Sequence, residues 1–230
     1  VKLDQSKTLQ ISDFLSGIRD ELPILIGVVP FGLIYAILAQ QSGLSGLETQ
    51  GMSLIVFAGS SQFLLVQLAA QNAPLLVIVL TGFIINLRHL FYSASIGPHT
   101  KDLSIGWKVI LSYLLTDEAY AVTIAKFQNY ESRTKNWYFF GAGFALWSSW
   151  QISTWLGLVL GTQIPPNWSL NFALPLTFIA IVVPMIKDRP GLLAAISSGV
   201  VAALTSHFPY KIGLILAAIV GISIGMWSKK

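Results

Sequence analysis

Cysteine is absent from the 230 residues, which removes disulfide scaffolds, cysteine zinc sites, thiolate catalysis and iron–sulfur clusters together. Charge is scarce. Only 10% of the residues are Asp, Glu, Lys or Arg, against about 25% in a typical soluble domain. With 54% hydrophobic residues and a mean hydropathy of +0.68, too few polar groups remain to cover a globular surface in water. A soluble enzyme is excluded. No glycine repeat suggests a collagen-like fibre, and the wealth of aromatic and aliphatic residues argues against disorder. The three histidines, His89, His99 and His207, show no metal-ligand spacing. There is no H-E-x-x-H helix, P-loop, dinucleotide glycine pattern or nucleophile elbow. No cofactor or metal is expected, and ATP-driven pumping by this chain alone is excluded.

What the chain has instead is apolar runs of membrane length. A hydrocarbon core about 30 Å thick needs roughly 20 helical residues. Eight stretches qualify: Leu22 to Gln40, Gln50 to Ala70, Pro74 to Ile96, Ile105 to Ala125, Trp137 to Gly161, Leu170 to Ile186, Pro190 to Ser206 and Ile212 to Ser228. They are continuously apolar, whereas strands of a membrane barrel alternate lipid-facing and lumen-facing residues. The expected fold is therefore all-α, a polytopic helical membrane protein in a lipid bilayer. Its last three spans are short enough to be oblique or re-entrant. Residues 22–230 read as one transmembrane domain, preceded by a cytoplasmic lead-in over residues 1–21. That lead-in shows no cleavable signal pattern, and Ser12 to Glu21 suit a short surface helix with Phe14, Leu15 and Ile18 on one face.

The net charge of +4 and the pI near 9.3 come from basic residues scattered singly between apolar runs. That scatter reports orientation and not nucleic-acid binding. With the amino terminus inside, ten basic residues lie on the cytoplasmic side, against Lys101, Lys108 and Lys211 outside. Both termini are expected in the cytoplasm. Small residues recur at Gly141, Gly143 and Ala145, at Gly157 and Gly161, and at Gly221 and Gly225. Such spacing suits close helix packing in lipid, or a subunit contact.

Function is argued from the polar residues inside these runs. Arg88, with Asn86 and His89 beside it, lies roughly 21 Å into the third span, where an arginine costs about 2.5–3.5 kcal/mol unless it meets a partner or water. In the fourth, Tyr113, Thr116, Asp117, Tyr120 and Thr123 share one helical face, with Asp117 roughly 18 Å deep. An intramembrane pair between Arg88 and Asp117 is expected. Glu118 turns away from the stripe and needs cover from another helix or a nearby interface. His89 reads as a satisfied hydrogen-bonding group or as a proton carrier near neutral pH.

Two helix breaks are also expected. Phe57-Ala58-Gly59-Ser60-Ser61-Gln62-Phe63 has the small residues and amide that an interrupted helix needs, and a half-helix amino end suits a carboxylate. An unbroken helix with small packing residues is the other reading. Gly27-Val28-Val29-Pro30-Phe31-Gly32 offers a second weak point, since Pro30 lacks a backbone donor. Together these stretches make Pro30, Phe57, Gly59, Ser60, Ser61, Gln62, Asn86, Arg88 and Tyr120 candidates for holding substrate. Asp117, Glu118 and His89 are the candidates for proton or charge coupling.

The ordered set Gly27 to Gly32, Phe57 to Gln62, Asn86-Leu87-Arg88-His89 and Thr116-Asp117-Glu118 resembles the AzlC family, the large subunit of bacterial branched-chain amino-acid exporters. The likeness runs from about Pro23 to Tyr120 and continues more weakly to the end. It implies an inner-membrane exporter of valine, leucine and isoleucine, with methionine as a further candidate, and a small separately encoded membrane partner of the AzlD type. Read with the residues, it gives a secondary transporter driven by the proton gradient or membrane potential. The rivals are a passive amino-acid or small-solute channel, a non-transporting scaffold subunit, and an intramembrane hydrolase that no catalytic spacing supports.

Overall fold

A computed structural model describes residues 2–128, 134–161, 186, 188–209 and 212–228. Apart from a 3₁₀ position at Pro209, every regular element among them is an α-helix. The chain divides into two compact units, Val1–Trp168 and Ser169–Lys230. The first holds α1 (Lys2–Gln41), α2 (Gly46–Ile55), α3 (Gly59–Ala70), α4 (Leu75–Asn86), α5 (Arg88–Thr100), α6 (Ile105–Tyr113), α7 (Asp117–Phe127) and α8 (Lys135–Gly161). The second holds α9 (Arg189–Leu204) and α10 (Ile212–Trp227). The sixth expected span, Leu170 to Ile186, falls almost wholly outside the described residues.

Two stretches, Lys7–Gln41 and Leu75–Thr100, are long and apolar enough to cross a membrane. Ile26, Leu75, Phe91 and Ile105 are each three-quarters or more exposed. An apolar outer face on this scale belongs against hydrocarbon, because water would penalise it.

The first unit is organised around α1 and α8, which lie parallel. Gly17 meets Tyr138 and Ala142, Gly32 meets Trp150 and Ser153, and Gly157 meets Leu33 and Ala36. Backbones approach closely at these glycines, and in lipid that contact has to replace the hydrophobic drive between helices. The small residues noted in the sequence thus serve packing within the chain. Gly141 lies against the Phe14 backbone and Gly143 against Leu114, while in the second unit Gly221 and Gly225 lie on Ala194.

A Cβ at Gly17 would collide with the Tyr138 carbonyl oxygen and sit 2.8 Å from the Ala142 nitrogen, whereas one at Gly27 meets nothing. Backbone atoms cannot rotate aside. Gly17→Ala should therefore cost about 1–3 kcal/mol, as overpacking does, and lower the melting temperature in detergent. Gly27→Ala should not.

The expected lead-in helix is not separate. α1 runs unbroken from Lys2, and Asp13 and Glu21 are buried rather than exposed. It also passes through Pro23 and Pro30 without interruption, so the expected break at Pro30 does not form. A proline removes one donor, and in a spanning helix the turns on either side can hold the axis when a neighbour packs against them. Here α8 is that neighbour.

Real breaks occur elsewhere. Between α2 and α3, Val56 (φ −108°, ψ 71°) and Ala58 (φ −154°, ψ 98°) leave the helical region. Between α6 and α7, Thr116 is extended (φ −113°, ψ 178°). α4 and α5 are parted only by Leu87, whose backbone stays helical but closes i→i−3 bonds, Leu87 N to Ile84 O at 3.2 Å and Leu90 N to Leu87 O at 3.0 Å. Asn86 and Arg88 flank that tight turn.

The amino end of α2 shows what a finished helix start looks like. Ser45 Oγ accepts from Glu48 N at 3.2 Å, and Ser45 N donates to Glu48 Oε2 at 2.7 Å, a complete capping box. The Ser45 backbone N–H first and its hydroxyl second, which donates to Glu48 Oε2 at 2.7 Å, hold the Glu48 carboxyl below its ordinary value. A depressed folded value means that the stabilisation is present above the unfolded pKa and is lost as pH falls through the folded one. Glu48→Gln should melt earlier than wild type at neutral pH, and the gap should close in acid. A constant gap across the titration would show that charge plays no part in the cap.

Candidate functional site

The three interruptions meet in the first unit and bring together side chains from α3, α4, α5 and α7. Ser61 Oγ donates to Asn86 Oδ1 at 2.6 Å, tying the start of α3 to the end of α4. Two residues later Arg88 forms an ion pair with Asp117 through Nη1 and Oδ2. The expected pair is present. Asp117 is the first residue of α7, so its carboxylate also meets the positive end of that half-helix, with Thr116 capping through the Ala119 N–H at 3.3 Å. Arg88 Nε is buried without a hydrogen-bond partner among the described residues.

α3 begins differently. Ala58 supplies no side-chain cap and the first turn carries no acid. Ser60 Oγ, in that turn, is buried without a partner among the described residues. Of the two true half-helix starts, one is filled by an acidic residue of the chain. The other is bare.

The remaining candidates fall into place around this geometry. Phe57 is buried, its ring 6.0 Å from that of Tyr113. Gly59 faces Trp150, where a Cβ would come within 2.9 Å of the indole. Gln62 is fully buried next to Tyr35. Tyr120 stacks on Tyr92 with centroids 4.7 Å apart and donates to Ser95 Oγ at 2.8 Å. His89 Nδ1 donates to the Asn86 carbonyl at 3.0 Å and its ring meets Tyr92 edge-on, so one of its nitrogens is engaged in a local helical bond. Glu118 lies in the first turn of α7 and within electrostatic reach of Arg88 and Asp117. Pro30 stands apart on an exposed face of α1.

The break before α7 also divides the polar stripe expected on one continuous face. Tyr113 ends α6, donates to the Leu54 carbonyl at 2.7 Å and accepts from Trp147 Nε1 at 2.9 Å. Thr116, Asp117 and Tyr120 have the separate partners given above.

Sequence reasoning missed two groups. One is an uncharged nest where Gln151 Oε1 accepts from Gln50 at 2.7 Å and Ser53 at 3.1 Å, with Thr154 3.4 Å from Ser53. It belongs to α2 and α8, whose polar residues are diluted among aromatics. The other is Glu21, fully buried on α1 with neither oxygen hydrogen-bonded among the described residues. Its signal was the four-residue spacing Asp13, Gly17, Glu21, which marks the face turned to α8.

Comparison with known proteins bears on what this geometry is for. The family model described as AzlC protein matches residues 23–164, which takes in α2 to α8 and the second half of α1. The chain belongs to the AzlC family. The three interruptions found among the described residues of this AzlC-family protein lie in the matched region. It is 29% identical to the inner membrane protein YgaZ of Escherichia coli over 90% of this chain and 86% of that protein. A membrane protein of Archaeoglobus fulgidus is 30% identical over 93% and 94%. The branched-chain amino acid transport protein AzlC of Bacillus subtilis is 27% identical over 73% and 66%. No solved structure matches.

Proposed function

We propose that this AzlC-family protein is a secondary transporter that exports branched-chain amino acids across the bacterial inner membrane. Valine, leucine and isoleucine are its substrates, with methionine a further one, and the proton gradient or membrane potential drives it. It crosses the membrane several times with both termini inside, and works with a small membrane subunit of the AzlD type. The observation that carries the reading is the bare amino end of α3, joined through Ser61 and Asn86 to the Arg88–Asp117 pair. A zwitterion needs this combination. Free N–H groups at a helix start donate to its carboxylate, while a carboxylate a short way off answers its ammonium. Discontinuous helices in transporters place such ends at mid-membrane. Phe57 offers an apolar wall for the branched side chain.

The chemistry assigned to each residue follows from its bonds. Gly59, Ser60 and Ser61 present N–H groups and Gln62 a buried amide. Arg88 has a donor to spare, and Asn86 ties the two helices. Tyr120 orders the start of α7 against α5. Asp117 and Glu118 respond to the coupling charge, with His89 on the rim. Counterflow of labelled valine in proteoliposomes tests the reading. Saturable uptake against a concentration gradient supports it. Flux that never runs uphill would make the protein a channel, and no flux would leave it a scaffold. Export from dipeptide-fed cells with and without the small subunit tests the partner.

A further inference from the structure

Glu21 takes no part in the site just described, yet it is the most completely enclosed acid in the described chain. Its side chain is fully buried, and neither oxygen has a hydrogen-bond partner among the described residues. An ionised carboxylate in such surroundings costs several kcal/mol unless a cation or donor meets it. None does. The two ion pairs among the described residues hold their cations on other acids: Lys126 of α7 pairs with Asp20 at 3.4 Å, and Arg88 of α5 with Asp117. From α8, Tyr138 donates to Asp20 at 2.8 Å. α3 carries no titratable side chain. The group that reaches Glu21 electrostatically from α7 is Glu118, another acid, one residue from the Arg88–Asp117 pair. α1 is held rigidly here, since one turn earlier Gly17 is in backbone contact with α8.

We propose that Glu21 is the proton-carrying residue of this protein and that it exchanges its proton with Glu118 across the α1–α7 contact. This rests on the transport reading above and names its coupling residue. The geometry suits the task. A lone buried carboxyl is comfortable as a neutral acid, and a second carboxyl within electrostatic reach disfavours charge on both at once. When the two carboxyls swing into hydrogen-bond contact, the O–H bond on Glu21 breaks and one forms on the Glu118 carboxylate, so that charge and atoms balance without any other reactant. Glu118 shares the first turn of α7 with Asp117. A change in its charge is therefore felt at once by the pair that answers the substrate ammonium. Burial of Glu21 keeps the proton from leaking straight to water.

The test uses the full-length protein in proteoliposomes and the variants Glu21→Gln and Glu21→Asp. With glutamine, valine counterflow should persist within about twofold while accumulation driven by an imposed pH gradient falls at least tenfold. Aspartate should restore part of the gradient-driven flux. Infrared difference spectra of the wild type across a pH titration should show the carbonyl band of a protonated carboxylic acid, lost in Glu21→Gln. Gradient-driven accumulation at the wild-type level in Glu21→Gln would overturn the proposal. So would loss of counterflow together with accumulation, or an unchanged carboxylic-acid band. A wild type without any valine counterflow would sink the transport reading instead, and the infrared band would still decide whether Glu21 holds the proton.

Discussion

Neutralising either member of the Arg88–Asp117 pair should reduce valine counterflow by about 30- to 100-fold. Truncating one partner of a hydrogen-bonded charge pair costs about 2–5 kcal/mol, because the other charge is left without its partner. The two side chains are 27% and 40% exposed, which places the loss towards the lower end, about 2–3 kcal/mol, and each 1.4 kcal/mol is about tenfold. Asp117→Asn leaves the guanidinium unpaired at the start of α5, and Arg88→Gln leaves the carboxylate with only the α7 amino end to meet it. The double variant Arg88→Gln with Asp117→Asn removes both charges, so its melting temperature should return towards wild type while counterflow stays low. A single variant that inserts, melts and transports like wild type would show that the pair is dispensable.

Placing a carboxylate inside the protein at the bare half-helix should block transport while keeping the fold. Ala58 already has the extended backbone of a capping residue and no side chain to cap with. In Ala58→Asp the new carboxylate reaches the N–H groups of Ser60 or Ser61. Filling an N-cap is worth about 0.5–2 kcal/mol, so the melting temperature should hold or rise. Counterflow should fall at least tenfold, since the substrate carboxylate then competes with one fixed a few ångströms away. Ala58→Ser gains the cap without the charge and should keep most of the flux. Inactivity caused by misfolding would lower stability and flux together, and Ala58→Ser separates it from a blocked site; full activity in Ala58→Asp would remove α3 from the substrate site.

A good part of the candidate site can be read from the residues in order. Small residues at Gly59 to Ser61 mark a place where a spanning helix loses little by opening, and α3 does begin there. Arg88 and Asp117 are both too costly in hydrocarbon to stand alone, so their pairing follows from electrostatics once neighbouring spans are antiparallel. The break before α7 was hidden, because Thr116 and Asp117 fit a continuous polar stripe as well as they fit a cap and first turn. Pro30 misled in the opposite sense. Its missing donor marks a weak point in an isolated helix, whereas α1 leans on α8 along its length.

Composition alone determined that this is a helical membrane protein, since 10% charge cannot clothe a water-soluble surface and the apolar runs match the bilayer. Charge in the wrong solvent then singled out Arg88 and Asp117, because their penalty depends on depth and needs no tertiary detail. Which helix would break, whether Glu21 would face water or the interior, and where Gln50, Ser53 and Gln151 would find one another were decided only by packing. Those outcomes depend on which faces of α1, α2, α7 and α8 touch. That choice is made largely by close contacts between residues about a hundred positions apart, which no local pattern encodes.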